Sequence, residues 1–376
     1  MEDIRFHYAD PETVKNTYGE YDTVDFMINT DRNLINNSVR IEGDLVVSQA
    51  GSETVPNGAA DKVYFNPRTG IHGVCESIST TLGGGGEVLE FLNGYGRLVN
   101  MKEVATKDKD SYFNSMDRCE LKVPTVEQSK VLCRGKLLED TAGTIQAGDF
   151  SFKPFFCLNR MSGGNSLSLG PYNDVIKVSI NLARVNNFLC GTGFTGATPK
   201  YTLSNLRLTY RTLPREPTPN ITARSYVYLK QTITGPQVSL SSRVPAVSNA
   251  VSISFQRQAE ENQNGNNYLK LERPPIGNDA ELKMSMNDSN SNFITYTIRD
   301  YGEMLEGFLQ SFKSSGLNNV NPAESMTGEN SFGLGVSFAS FVDLRNQKFT
   351  FEFKSDTTEA EPQLAYMYFH NLINFN

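Results

Sequence analysis

Hydrophobic and polar residues alternate along much of the chain, a period-two pattern that is typical of strands with one buried face. The clearest run begins at position 176 and comprises Ile176, Lys177, Val178, Ser179, Ile180, Asn181, Leu182 and Ala183. The same alternation recurs at residues 206–211, 251–256 and 349–354. A chain made mainly of such strands and short loops predicts an all-β fold.

A segment in the second half follows a helical spacing instead. One apolar face of a helix contains Tyr301, Met304, Leu305, Phe308, Leu309 and Phe312. Asp300 and Glu303 have the spacing of a capping box at its start, and Gly316 suits its end. These signals predict a helix that begins near residue 301 and ends before residue 316.

The first half contains a similar segment. Residues 87–92 (EVLEFL) resemble residues 303–309 (EMLEGFL), and both follow a strand-like run. The helical face predicted in the first half comprises Val88, Phe91, Leu92, Tyr95, Leu98 and Val99. Gly94 and Gly96 weaken this helix by about 1 kcal/mol each. The repeated segment predicts a β-rich unit with one prominent helix that occurs twice in the chain.

The domain organisation follows from this repeat. Residues 1–24 are polar and form an N-terminal arm that is either disordered or held by a partner, and residues 25–213 form the first unit. Residues 214–221 contain three prolines and form a stiff linker, and residues 222–376 form the second unit. The stretch between helix and last strand is much longer in the first unit, which predicts an insertion at about residues 107–150.

Composition restricts the function. A chain of 376 residues has room for two domains, and its net charge of −7 with no basic arm argues against direct, specific nucleic-acid binding. The five cysteines form no C-x-x-C motif, which favours a reducing compartment over a secreted disulfide framework. The first residues lack a signal-peptide pattern, and no apolar run reaches the roughly 18 residues of a membrane span. We therefore expect a soluble product that stays inside the producing cell.

No pattern in the chain predicts a catalytic, cofactor-binding or metal-binding residue. Residues 191–196 match G-x-G-x-x-G but lead into Pro199 rather than a helix, and the glycines at 83–86 indicate a turn. His7, His72 and His370 are far apart, and His72 with Cys75 gives only two potential metal ligands. The acidic residues are scattered singly, as on solvated surfaces, although a carboxylate pair that meets in space stays open.

Three regions carry a resemblance to a known family. They are residues 25–47 with NSVRIEG at 37–43, residues 71–100 with LNGYGRL at 92–98, and the C-terminal region with SFGLG at 331–335 and SFVDLRN at 340–346. In these regions the chain resembles the double jelly-roll major capsid proteins of tailless icosahedral DNA viruses. The resemblance extends over nearly the whole chain from residue 25 and rests on a pattern rather than on one sharp motif.

The resemblance implies two fused eight-stranded jelly-roll β-sandwiches, each with a helix in a connecting loop. It implies a non-enzymatic protein without cofactors that forms homotrimeric, pseudo-hexameric capsomers, which tile an icosahedral virion shell after synthesis inside the host cell. Its partners would be itself, penton proteins, minor capsid or membrane proteins, and an internal membrane where one is present. The insertion at 107–150 would form tower loops.

The N-terminal arm would lie on the inner face of the shell. Its acidic residues disfavour contact with DNA or an anionic membrane surface and favour a protein partner: Glu2, Asp3, Asp10, Glu12, Glu20 and Asp22.

Two alternatives stay open at this point. A two-domain β-sandwich can also be a non-catalytic module that binds carbohydrate or a receptor. The absence of tryptophan weighs against stacking on sugars. A cupin-like enzyme needs a histidine-rich metal set, which three scattered histidines do not supply.

Overall fold

The computed structural model describes residues 3–49, 63–66, 68–83, 86–106, 119–121, 146–191, 199–218, 220–233, 237–261, 280–286, 292–317, 333–345, 348–354 and 363–375. The strands of the first half are β1 (Arg5–Ala9), β2 (Thr23–Asn29), β3 (Asn33–Ile35), β4 (Arg40–Gln49), β5 (Val63–Phe65), β6 (Cys75–Leu82), β7 (Val88–Asn93), β8 (Gln146–Phe152), β9 (Met161–Ser162), β10 (Ser166–Ser168), β11 (Val175–Leu182), β12 (Leu189–Gly191) and β13 (Pro199–Leu213). Those of the second half are β14 (Ile221–Ile233), β15 (Gln237–Arg243), β16 (Val247–Arg257), β17 (Ala280–Met286), β18 (Asn292–Ile298), β19 (Leu334–Asp343), β20 (Lys348–Lys354) and β21 (Gln363–Phe375). The helices are α1 (Tyr95–Thr106), α2 (Val185–Phe188) and α3 (Tyr301–Ser314).

The strands form two antiparallel sandwiches with the same connectivity. In the second half the sheets have the orders β19-β16-β21-β14 and β15-β20-β17-β18. In the first half the orders are β8-β4-β13-β1 and β2-β11-β6-β7, with β3 and β10 added beside β13. Strands at equivalent places in the two orders also come in the same sequence along the chain. Each half is therefore a jelly roll, and the predicted all-β fold of two joined jelly rolls is confirmed.

The alternating runs supply the cores. Ile176, Val178 and Ile180 of β11 are buried, and the polar residues between them lie on the other face. In β13 the buried positions are likewise alternate ones, including Leu208 and Tyr210. Burial of one side chain in two matches the pleat of a strand, so the sequence periodicity sets which face of each sheet packs inward.

The helix predicted in the second half is confirmed. The side chain of Asp300 accepts a 2.9 Å hydrogen bond from the backbone N–H of Glu303, which satisfies one of the free donors at the start of α3. Gly316 follows the helix with φ +82°, a conformation that favours glycine. Met304, Phe308 and Phe312 are buried. The helix connects the edge strand β18 to β19.

The helix predicted to open at residues 87–92 is wrong there. These residues form β7, which pairs antiparallel to β6, and α1 begins only at Tyr95. Gly94, with φ +61°, separates the strand from the helix. The apolar positions fit a helical face by their spacing alone, but pairing with β6 decides the conformation, and Val88 and Phe91 are exposed.

The prediction that residues 1–24 form an arm outside the first jelly roll is wrong for β1. Arg5–Ala9 pairs with residues 208–212 of β13 and takes the place that β14 takes in the second jelly roll. Further along, Tyr18 is buried and bridges to Leu203. The segment is held by its own chain because β13 would otherwise offer an open edge to solvent.

The extra length of the first jelly roll is not confined to residues 107–150. Residues 153–174, with β9 and β10, lie between β8 and β11, whereas only residues 344–347 separate the equivalent β19 and β20. Residues 146–150 belong to β8. The rest of the predicted tower loops lies outside the described residues, apart from residues 119–121.

Candidate functional site

The histidines that could take part in catalysis or metal binding lie in separate places in the described structure. His7 Nε2 lies 2.9 Å from Thr212 Oγ1, His72 Nδ1 lies 2.8 Å from the Tyr95 hydroxyl, and His370 Nε2 lies 2.7 Å from Ser252 Oγ. Within the described ranges, no group of three or more His, Cys, Asp and Glu side chains could hold a metal ion. The histidines are part of the packing of three separate regions.

Three of the four cysteines that the structure describes are unreactive because they are buried. Cys75, Cys157 and Cys190 are buried, and Cys119 is exposed. Burial raises the pKa of Cys190 to about 12 and shifts the pKa of Cys75 and Cys157 upward as well. The three buried thiols stay protonated at neutral pH, so they are poor nucleophiles and poor metal ligands.

The described glycines of the two motifs lie at a strand end and in a turn between strands. Gly191 ends β12, residues 192–198 lie outside the described residues, and β13 begins at Pro199. A strand therefore follows the G-x-G-x-x-G motif, where a dinucleotide site needs the N-terminus of a helix. Gly83 and Gly86 lie in the turn between β6 and β7, where the Gly86 N–H donates to the Leu82 carbonyl oxygen at 3.0 Å.

The distinctive feature of the molecule is the joint between the two jelly rolls. Ser252, Ser254 and Gln256 occupy the polar positions of the alternating run in β16, and yet all three are buried. The Ser252 hydroxyl lies 2.7 Å from the Ser311 hydroxyl of α3, and Gln256 bonds to Arg97 of α1. The face of the β19-β16-β21-β14 sheet that points away from its own sandwich is therefore covered, in part by the first jelly roll.

Arg97 is a buried cation in this joint. Its Nη2 donates a 2.9 Å hydrogen bond to Gln256 Oε1, and its guanidinium carbon lies 3.5 Å from the centre of the Tyr366 ring. The side chain is fully buried. A planar guanidinium can stack on an aromatic ring and donate hydrogen bonds in its own plane at the same time. Arg97 of the first jelly roll therefore contacts two strands of the second.

Glu90 is a buried acid in the same region. Its Oε2 accepts a 2.9 Å hydrogen bond from the Cys157 N–H, and its Oε1 accepts from the Ser225 hydroxyl of β14. Burial raises the pKa of Glu90, and its hydrogen bonds and the charge of Arg160 oppose that rise. The expectation of solvated acidic residues is wrong for Glu90 and for the buried Glu103.

The backbone also crosses the joint. Met161 and Ser162 of β9 pair with Ala223 and Thr222 of β14, so the first half contributes a strand to a sheet of the second. Arg160, just before β9, donates a 2.9 Å hydrogen bond from Nη2 to the Ser315 carbonyl oxygen at the end of α3. Backbone pairing and buried polar bonds together fix the two jelly rolls to each other.

The chain is similar to known proteins in structure and not in sequence. No protein-family model matches the chain, and no curated protein matches it by sequence. Its structure matches the Faustovirus major capsid protein with a TM-score of 0.59 and 10% identity, covering 100% of this chain and 91% of that one. The chain has the fold of viral capsid proteins. A structure of the Sputnik virophage matches with a TM-score of 0.59 and 11% identity over 99% of this chain and 85% of that chain.

A third match is the capsid protein VP54 of the virus PBCV-1, fitted into a reconstruction of Sputnik. It has a TM-score of 0.57 and 12% identity, and it covers 100% of this chain and 95% of that chain. The viral capsid fold thus spans both jelly rolls and the joint rather than one sandwich. Within the described part of the chain, no helix is long and apolar enough to cross a membrane.

Proposed function

We propose that the chain is a major capsid protein, a non-enzymatic building block of an icosahedral virion shell. The observation that carries this proposal is the whole-chain match of its two joined jelly rolls to viral capsid proteins. A chain with two similar lobes yields six lobes when three copies surround a threefold axis. Such a homotrimer has a pseudo-hexagonal outline and can tile a shell.

The joint supports this role. A capsomer with pseudo-sixfold symmetry requires a fixed angle between the two lobes of each chain. The pairing of β9 with β14, the Arg97–Gln256 bond and the Glu90–Ser225 bond all cross from one jelly roll to the other. Breaking buried polar contacts of this kind costs several kcal/mol, so the two lobes behave as one block.

The first strand offers a contact surface for a neighbouring copy. Phe6 and Tyr8 are 79% and 66% exposed, and Ile4 is 44% exposed. Large apolar side chains that stay exposed together mark protein–protein contacts. We assign this surface, defined by Ile4, Phe6 and Tyr8, to contacts between copies of the chain. Penton proteins and minor capsid or membrane proteins would be further partners in the shell.

The solution mass of the purified chain tests the proposal. Static light scattering should give a stable species of about three times the 41.8 kDa chain mass. A monomer that persists at all concentrations would overturn the capsid proposal. It would favour the alternative of a two-domain binding module, which a screen against immobilised glycans could then examine.

A further inference from the structure

A cavity of about 530 Å³ lies at the joint of the two jelly rolls. It lies where α1 and the segment around β9 from the first jelly roll meet β14 and the end of α3 from the second. Its charged lining consists of Lys102, Lys153, Arg160, Arg224, Glu103 and Glu120, together with His72. A volume of this size is within the range of small-molecule sites, which is about 300–1,000 Å³.

The positive charges exceed the negative ones. Lys102 Nζ lies 2.6 Å from Glu103 Oε1, and His72 Nε2 lies 3.4 Å from Glu120 Oε2. Both acids of the lining are thus beside bases. Lys153, Arg160 and Arg224 remain, and no carboxylate within the described ranges forms an ion pair with any of them.

Arg160 and Arg224 lie directly opposite each other across the pairing of β9 and β14. The backbone N–H of Arg224 donates a 3.1 Å hydrogen bond to the backbone carbonyl oxygen of Arg160. This bond continues the register that the pairing of Met161 with Ala223 sets. Like charges opposite each other on paired strands destabilise the pair. An anion between them would remove this repulsion.

Both guanidinium groups also have a free donor. Nη1 of Arg160 and Nη1 of Arg224 are buried from solvent and have no hydrogen-bond partner among the described residues. Each guanidinium group also packs on an aromatic ring. The guanidinium carbon of Arg160 lies 4.3 Å from the centre of the Phe155 ring, and that of Arg224 lies 4.8 Å from the centre of the Phe341 ring. Buried charged donors left unpaired are costly, so a small rotation of either guanidinium group towards an anion in the cavity would relieve this cost.

We propose that this cavity binds a small molecule with two or more phosphate groups, held by Arg160, Arg224 and Lys153. Guanidinium groups match the geometry of phosphate oxygens, and three cations suit a multiply charged ligand better than a single carboxylate. The bound phosphates would connect Arg160 of the first jelly roll to Arg224 of the second. The ligand would therefore strengthen the joint.

Isothermal titration calorimetry with pyrophosphate, at constant ionic strength, tests this proposal on the full chain. We expect saturable binding with one site per chain and at least about tenfold weaker binding to Arg224→Gln and Lys153→Gln. Arg243→Gln is the matched control, because Arg243 is exposed and is not part of the cavity lining. Citrate, a carboxylate probe of similar charge, should bind at least tenfold more weakly than pyrophosphate.

Each contrary result has a definite meaning. Absence of saturable binding, equal weakening by Arg243→Gln, or citrate binding as tight as pyrophosphate binding would each overturn the proposal. Circular dichroism melting of the variants shows whether they fold. Arg224→Gln removes a repulsion and should melt no lower than the parent chain. If Arg224→Gln fails to fold, the pyrophosphate affinity of Lys153→Gln tests the proposal instead. The outcome does not affect the capsid proposal, which the solution mass of the chain tests separately.

Discussion

The hydroxyl of Tyr368 donates a 2.9 Å hydrogen bond to the carbonyl oxygen of Gly94. Tyr368 lies in β21 of the second jelly roll, and Gly94 forms the turn between β7 and α1 of the first. The same turn adopts φ +61°, and a Cβ added to Gly94 would lie 2.7 Å from the Tyr368 hydroxyl oxygen. The turn that starts α1 and the contact between the jelly rolls therefore depend on one residue without a side chain.

Gly94→Ala should destabilise the joint. The substitution strains a left-handed backbone and pushes Tyr368 away, and we expect a loss of about 1–3 kcal/mol in the free energy of unfolding by urea. Gly148→Ala in β8 is the control, because a Cβ there meets no atom within 4 Å. Equal losses in the two variants would contradict the role assigned to Gly94.

The buried Glu90 should respond to pH in a defined direction. Its pKa is raised in the folded chain, so its contribution to stability is greatest below the unfolded value of 4.5 and is lost as the pH rises through the folded pKa. Glu90→Gln retains polar atoms toward Cys157 and Ser225 without this loss. The stability of the variant relative to the parent should therefore increase between pH 4 and pH 8 in urea titrations.

Glu90→Ala separates charge from hydrogen bonding. It leaves the Cys157 N–H buried without its acceptor, which should cost about 1–3 kcal/mol at every pH. A Glu90→Gln curve parallel to that of the parent would contradict the raised pKa.

His370 should make the fold sensitive to mild acid. Burial lowers the pKa of this histidine well below its usual 6.5, with Arg160 and Arg224 adding to the effect. The contribution of the neutral His370 to the free energy of unfolding is fully present above about pH 6.5. At lower pH this contribution decreases by up to about 1.4 kcal/mol per pH unit, because the unfolded chain takes up the proton.

His370→Gln should flatten the fall in melting temperature between pH 7 and pH 5. His7→Gln should change it less, because His7 is only partly buried. An unchanged slope in His370→Gln would show that other groups cause the acid sensitivity.

The exposed surface of β1 should control assembly rather than folding. Phe6→Ser combined with Tyr8→Ser removes apolar side chains that contact mainly solvent in the single chain, so the melting temperature should stay within a few degrees of the parent value. The mass measured by light scattering should fall from trimer towards monomer. Val88→Ser, at a 59% exposed position on the other sheet of the first jelly roll, is the control. If the double variant remains trimeric, the surface of Ile4, Phe6 and Tyr8 is not part of the trimer contact.

Strand periodicity was enough to predict an all-β chain with a repeated β-rich unit, because each buried face follows from local alternation. The jelly-roll topology was predicted only from the resemblance to capsid proteins. The capping box of Asp300 and Glu303 likewise predicted α3 from local interactions. The start of α1 could not be predicted in this way, because residues 87–92 suit a helix until β6 pairs with them.

The joint was also beyond prediction. Ser252 and Gln256 have the pattern of a solvated face, and only α3 and α1 packing on that face bury them. Arg97 and Glu90 are charged residues like many others in the chain. Their burial depends on partners more than one hundred residues away in sequence, which no local pattern reveals.

Single-particle electron microscopy of the purified assembly would show directly whether three chains form a pseudo-hexagonal capsomer. We expect a particle with threefold symmetry whose face shows six similar lobes, two from each chain, in a pseudo-hexagonal outline. Particles with only two lobes at every concentration, or closed assemblies with another number of lobes, would contradict it.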